Sequence, residues 1–301
     1  MLDISLLGTG GMMPMPERFL SSMILRYNGR LILTDCGEGT QVSLKKLGWG
    51  FKSIDAIFFT HYHADHISGL PGMFHAIANA GRTEPLKLIG PKGLVYVVEG
   101  LRRIAAELTY EIEYIELDDE NKEIFIDGLK ISAINAIHSV KCMSYKYEVI
   151  RKGKFDPQKA IKLNIPKNMW SLLQKGQQVD VKGKIYTEDD VLGPTRKGIK
   201  VTFATDTRPF DELAQFAENS DLFICEGMYG ENEKKDKAEE NRHMLFSEAA
   251  SLAKNADVKE LWLTHYSPAL SKPEEYFENA HGIFENTVLG YDGITKTIRF
   301  E

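Results

Sequence analysis

The sequence predicts an α/β fold, and three observations carry that prediction. Short runs rich in β-branched and aromatic residues, such as Ala56-Ile57-Phe58-Phe59, recur along the chain at strand length. Between many of them lie stretches with apolar residues at helical spacing. Side chains of metal-ligating type stand directly after several of the strand-like runs, where α/β folds gather their chemistry. At 301 residues and 43% hydrophobic content, the chain is long and apolar enough to bury a substantial core.

In order, residues 2–7 read as a strand running into Gly8-Thr9-Gly10-Gly11 and the loop 12–18. No helical pattern follows those glycines, so they suit a loop beside the active site better than a phosphate cradle. Residues 22–27 and 30–34 form a hairpin turned at Asn28-Gly29, a pair suited to left-handed angles. Asp35 precedes a helix at 41–47 and fits equally a partner orienting a metal-bound imidazole or a helix cap. Gly69-Leu70-Pro71-Gly72 leads into a helix at 73–80, whose His75 reads as a packing or surface residue. A strand at 86–89, a turn at 90–93, a helix at 94–107 and strands at 111–117, 124–126, 129–137 and 145–150 follow. Beyond residue 192 the pattern predicts strands at 199–204, 221–225 and 261–264, helices at 247–254 and 273–284, and a closing pair of strands at 287–289 and 295–300. His281, on the last helix, carries no predicted role.

The densest cluster is His61-Tyr62-His63-Ala64-Asp65-His66, three imidazoles and a carboxylate in six residues after the strand-like run. Spaced two apart on extended chain, His61 and His63 point to one side and can close on one ion. Asp65 and His66 fall where the chain turns, offset from the first pair and suited to a second ion. Imidazole and carboxylate together are a transition-metal donor set. His138 ends another strand and supplies a third nitrogen for the first ion. Asp206 follows the strand 199–204, and its two carboxylate oxygens can bridge two cations. Glu226 and His265 follow the next two strands, and His243 lies between them.

The net charge is −6, yet residues 141–184 hold eleven Lys/Arg against three acids. That local excess, overlapping a region at about 151–192 that breaks the strand and helix rhythm, suggests a basic arm projecting from a single domain spanning 1–301. Cys36, Cys142 and Cys225 are odd in number and lack metal-thiolate spacing, which favours buried thiols. No apolar run reaches membrane-spanning length and Asp3 stands where a signal peptide needs bases, so no membrane partner and a cytoplasmic location are expected.

With these residues in view, the chain resembles the metallo-β-lactamase superfamily through His61-x-His63-x-Asp65-His66 with His138, Asp206 and His265 in order. Within it, Leu7-Gly8-Thr9-Gly10-Gly11, Asp35-Cys36-Gly37-Glu38-Gly39-Thr40-Gln41, Gly69-Leu70-Pro71-Gly72 and Gly81-Arg82-Thr83-Glu84-Pro85-Leu86 resemble the ribonuclease Z family, the tRNA 3′-processing endonucleases. The resemblance implies an αββα sandwich of two mixed β-sheets flanked by helices. It implies two Zn²⁺ per subunit, with Mn²⁺ or Fe²⁺ also compatible: His61, His63 and His138 on the first ion, Asp65, His66 and His265 on the second, and Asp206 on both. Asp65 would also orient the attacking water, and His243, supported by Glu226, would act as general acid. The implied partners are precursor tRNA, gripped by the arm, and a second subunit in a homodimer. Two other functions fit the same residues less well: a hydrolase of small phosphodiesters, sulfate esters or lactones, and a non-catalytic RNA-binding protein with a structural metal site.

Overall fold

The computed structural model describes residues 1–105, 107–117 and 123–301. The first of two seven-stranded sheets contains β1 (Leu2–Gly8), β2 (Ser22–Tyr27), β3 (Arg30–Thr34), β4 (Ile54–Phe58), β5 (Leu86–Pro91), β6 (Ile112–Leu117) and β16 (Thr295–Ile298), in the order β16-β1-β2-β3-β4-β5-β6. The second contains β7 (Glu123–Ile126), β8 (Leu129–Asn135), β9 (Met143–Arg151), β12 (Arg196–Ala204), β13 (Leu222–Glu226), β14 (Leu261–Thr264) and β15 (Thr287–Leu289), in the order β15-β14-β13-β12-β9-β8-β7. Both are mixed: β3 to β6 run parallel, as do β12 to β15, while β1, β2 and β16 and the β7/β8 hairpin are antiparallel.

Strands β4, β13 and β14 are buried at every residue, as parallel strands covered on both faces must be. One face of the first sheet packs Leu33, Ile57 and Leu88 against Leu44, Phe74 and Leu94 from three helices, Thr40–Leu47, Leu70–Asn79 and Leu94–Arg102. The second sheet does the same with Phe223, Leu261 and Leu263 against Leu213, Ala249 and Ala253. The inner faces meet: Phe58 lies edge-on to Tyr145 and Tyr147, the Tyr147 and Thr34 hydroxyls are 2.6 Å apart, and the Tyr145 hydroxyl donates to the Phe59 carbonyl at 2.7 Å. The layers are therefore helix, sheet, sheet, helix, the architecture the resemblance implied. The C-terminal ends of the parallel strands deliver the loops of the site.

Local chemistry explains most elements and several departures. Asn28 (φ +49°) and Gly29 (φ +80°) make the expected turn. The helix expected at 73–80 begins earlier, at Leu70, because Pro71 in a first turn has no intrahelical hydrogen bond to lose. Gly90-Pro91 extend β5 rather than turn: pairing with β4 ends at Ile89, and there only β6 remains alongside, so the missing N–H of Pro91 costs nothing. The helix expected at 94–107 stops at Arg102, and residue 106 of that span lies outside the described residues. The span 273–284 splits into a 3₁₀ turn, Pro273–Tyr276, and a short helix, Glu278–His281. The two closing strands do not pair with each other: β15 joins β14 and β16 joins β1, in different sheets.

The chain divides into two compact units, Met1–Glu148 with Ile199–Arg299 and Val149–Gly198 with Phe300–Glu301. The second holds the basic region and is itself folded. Asp156 caps the helix Pro157–Lys162 through the Gln158 and Lys159 amides, and a helix not anticipated from sequence, Lys167–Leu173, follows Pro166. A hairpin of β10 (Val179–Val181) and β11 (Lys184–Tyr186) completes it. Ala160, Ile165, Leu173, Val179, Tyr186 and Val191 form its own small core. Among the described residues, no helix is long and apolar enough to cross a membrane.

Candidate metal centre

Strand β4 leads to Thr60 and His61, after which the helix Ala64–Ile67 carries Asp65 and His66. His138 comes from the chain after β8, Asp206 after β12, His265 directly after β14. All seven predicted ligands converge. His61, His63, His138 and Asp206 bring one donor atom each within 4.8 Å of one another, and so do Asp65, His66 and His265. Asp206 lies between the groups. Its Oδ2 is 3.7 Å from Nε2 of both His61 and His138, while its Oδ1 is 3.1 Å from Nε2 of both His66 and His265.

Burial opposes ionisation of Asp206, yet His265, His66 and His61 around it hold its carboxyl well below the usual carboxylate range. Burial likewise disfavours the charged form of His66, but Asp206, Asp35 and Asp65 raise its pKa well above the ordinary value. His61 is driven the other way by burial and neighbouring His66, well below that value. The carboxylates Asp206, Asp35 and Asp65 thus favour positive charge beside them at His66, while His61 is held towards its neutral form. Among the described residues, the buried Nε2 of His61, 3.7 Å from Asp206 Oδ2, has no hydrogen-bond partner. Leaving such atoms unpaired costs about 1–3 kcal/mol each. Neutral imidazole nitrogens and carboxylate oxygens aimed at common points fit divalent cations of the zinc type.

Supports around the ligands were only partly legible. Asp35 is fully buried; its Oδ2 accepts from Nδ1 of His66 at 2.8 Å, and its Oδ1 accepts from the Thr60 amide at 2.8 Å. The helix Thr40–Leu47 is capped at Gly39 without a side chain, so of the two roles open to Asp35 the orienting one is found. Replacing Asp35 with Ala is expected to weaken metal binding about 10- to 100-fold, measured by chelator competition. Unchanged retention would mean packing alone holds His66. The glycine loop after β1 also reaches the site. A Cβ on Gly11 would lie 2.6 Å from the His265 ring, and the Met12 amide donates to Asp65 Oδ2 at 2.7 Å. Asp35, Asp206 and His265 all have φ between +53° and +58°. Such left-handed angles cost non-glycine residues about 1–3 kcal/mol each and persist where surrounding structure enforces them.

His243 lies beside this cluster, its ring 5.6 Å from that of His265 and 5.3 Å from that of His138. Its Nδ1 is 3.0 Å from Oε2 of the fully buried Glu226, which also accepts from the Thr207 and Met244 amides. Burial acts against the imidazolium, but Glu226 reverses this and raises its pKa to about 9. His243 also comes within ligand distance of Asp206 and His265, so geometry alone permits it a ligand's role too. The predicted bystanders lie apart: His75 is exposed and His281 stacks on Phe277. All three cysteines are buried free thiols.

Over its full length the chain is 56% identical to a ribonuclease Z of Clostridium acetobutylicum, covering 99% of that protein, and 52% identical to one of Clostridium kluyveri, covering all of it. The chain belongs to the ribonuclease Z family. The family described as Anti-Pycsar protein Apyc1 also matches, over residues 2–149. The crystal structure of the short form of human tRNase Z superposes with a TM-score of 0.72, at 23% identity, covering 99% of this chain and 100% of that one, a likeness of fold. Family membership and the two-sheet sandwich agree.

Proposed function

We propose that the protein is an endoribonuclease that removes the 3′ trailer from precursor tRNA, leaving a 3′-hydroxyl on the tRNA and a 5′-phosphate on the trailer. Full-length identity with ribonuclease Z carries the choice of substrate. The donor set would hold two Zn²⁺, with His61, His63 and His138 for one, Asp65, His66 and His265 for the other, and Asp206 available to both; Mn²⁺ or Fe²⁺ would suit the same donors. When bound, the ions supply Lewis-acid polarisation of the phosphoryl group and activation of water near neutral pH.

The chain's own residues supply the rest. Asp65, pinned at one oxygen by the Met12 amide, orients the attacking water as a hydrogen-bond acceptor. On the leaving side, His243 hands a proton to the departing ribose 3′-oxygen. Glu226 holds His243 Nδ1, so Nε2 is the nitrogen presented to substrate. In the second compact unit, exposed Lys154, Lys162, Lys167, Lys175, Lys182 and Lys184 suit the phosphates of a folded tRNA body, recognised by shape. A homodimer in the cytoplasm belongs to the same proposal.

The test is incubation with a precursor tRNA carrying a 3′ trailer, with and without chelator, followed by mapping of both product ends. Cleavage that yields a 3′-hydroxyl and a 5′-phosphate, stops with chelator and returns with zinc is the expected result. Intact precursor with metal-loaded protein would overturn the proposal.

A further inference from the structure

We infer that Arg208 is a positioning residue that sets His243 for proton donation, acting through the His243 main-chain carbonyl and an ion pair with Glu248. The inference rests on His243 as the proton donor in the proposed reaction. Arg208 stands two residues after Asp206, with its side chain 15% exposed. One guanidinium nitrogen, Nη1, donates both to the His243 carbonyl and to Glu248 Oε2, the latter at 2.9 Å, while Nη2 donates to Glu248 Oε1. Glu248 is itself anchored: its Oε2 accepts the Leu245 amide at 3.0 Å where the helix Phe246–Asn255 begins.

This arrangement answers a local weakness. His243 follows Arg242, which is held at φ +58° at the end of the helix Lys235–Asn241, so the direction of its side chain depends on a strained turn. Glu226 grips one ring nitrogen and the Met244 amide; the His243 carbonyl is held by Arg208. The Thr207-Arg208 main chain also reaches the rest of the site. The Thr207 amide donates to Glu226 Oε1 at 2.6 Å, and the Arg208 amide donates to the Ile137 carbonyl, next to His138, at 3.1 Å. The segment that carries Asp206 thus also fixes how far His243 stands from it. A planar fork can hold a carboxylate with two nitrogens and share one with a carbonyl; an ammonium lacks that geometry.

The test compares two substrates for metal-loaded protein. Precursor tRNA expels a ribose 3′-oxygen that needs a proton, whereas bis(p-nitrophenyl) phosphate expels an anion stable without one. General acid catalysis contributes about 10²- to 10⁴-fold, so Arg208→Ala is expected to lower kcat on the RNA about 10- to 100-fold with KM and bound metal little changed. The loss on the activated diester should be at least about tenfold smaller. Glu248→Gln, which keeps an acceptor for Leu245, should shift the ratio the same way by less, and Arg208→Lys should restore part of it. If Arg208→Ala fails to fold, the last two variants decide. His243→Ala is measured in parallel. Equal loss on both substrates for His243→Ala would remove the proton-donor role and this inference with it. Discrimination by His243→Ala, but equal or no loss on both substrates for the Arg208 and Glu248 variants, would overturn the inference alone.

Discussion

Asp206→Ala is expected to lower precursor-tRNA cleavage on the order of 10⁴-fold. Losing a partner that merely orients a metal ligand costs about 10- to 100-fold in affinity or activity, and Asp206 faces both groups of ligands at once. Its two oxygens stand 3.1 Å from Nε2 of both His66 and His265 and 3.7 Å from Nε2 of both His61 and His138. Alanine removes the carboxylate that lies between the groups, and within the second group it leaves Nε2 of His66 and His265 only 3.0 Å apart with no Asp206 oxygen beside them. Bound metal measured on the purified variant should fall below the wild-type ratio, and added zinc should restore little activity. A variant with full metal content and more than about a tenth of the wild-type rate would contradict a shared-carboxylate centre.

His243→Ala should cost about 10²- to 10⁴-fold in kcat on precursor tRNA, the range of general acid catalysis. Because His61, His63, His138 and Asp206, and Asp65, His66 and His265, form two donor groups without His243, the proposed reaction uses His243 as proton donor rather than ligand, and bound metal and KM should stay near wild type. Metal analysis decides between the roles, since His243 is also within ligand distance of Asp206 and His265. Loss of an equivalent of metal in this variant would make it a ligand. Glu226→Gln should move kcat in the same direction by a smaller factor, because an amide can still accept from an imidazole but no longer favours its charged form.

Much of this centre could be read in advance for a simple reason. Several candidate ligands follow buried parallel strands, which announce themselves as largely apolar runs: Ile54–Phe58 before His61, the buried end of Arg196–Ala204 before Asp206 and Leu261–Thr264 before His265, whereas His138 comes after β8 and Asp65 and His66 lie on a short helix. The residue after such a run emerges at the sheet's C-terminal edge whatever else the chain does. Errors fell where local pattern and local environment disagree. Pro71 looked like a helix boundary and is a first-turn residue; Pro91 looked like a turn and lies in a strand; residues 287–289 and 295–300 looked like a closing pair, and the strands found there serve opposite sheets. The helix Lys167–Leu173 went unseen because its first turn follows a proline in a polar run, and its apolar contacts are with the small core of its own unit.

Sequence by itself determined which side chains are present, their order, and their placement at strand ends, because hydrophobic periodicity and donor chemistry are properties of short segments. Only the tertiary structure decided how Asp206 divides its oxygens, that Asp35 serves His66 rather than a helix, that the Met12 amide reaches Asp65, and that Arg208 holds the His243 carbonyl. His66 and His265 meet across 199 residues of chain. No local pattern specifies such a meeting; it follows from two sheets packing face to face and bringing the loops at their ends to one place.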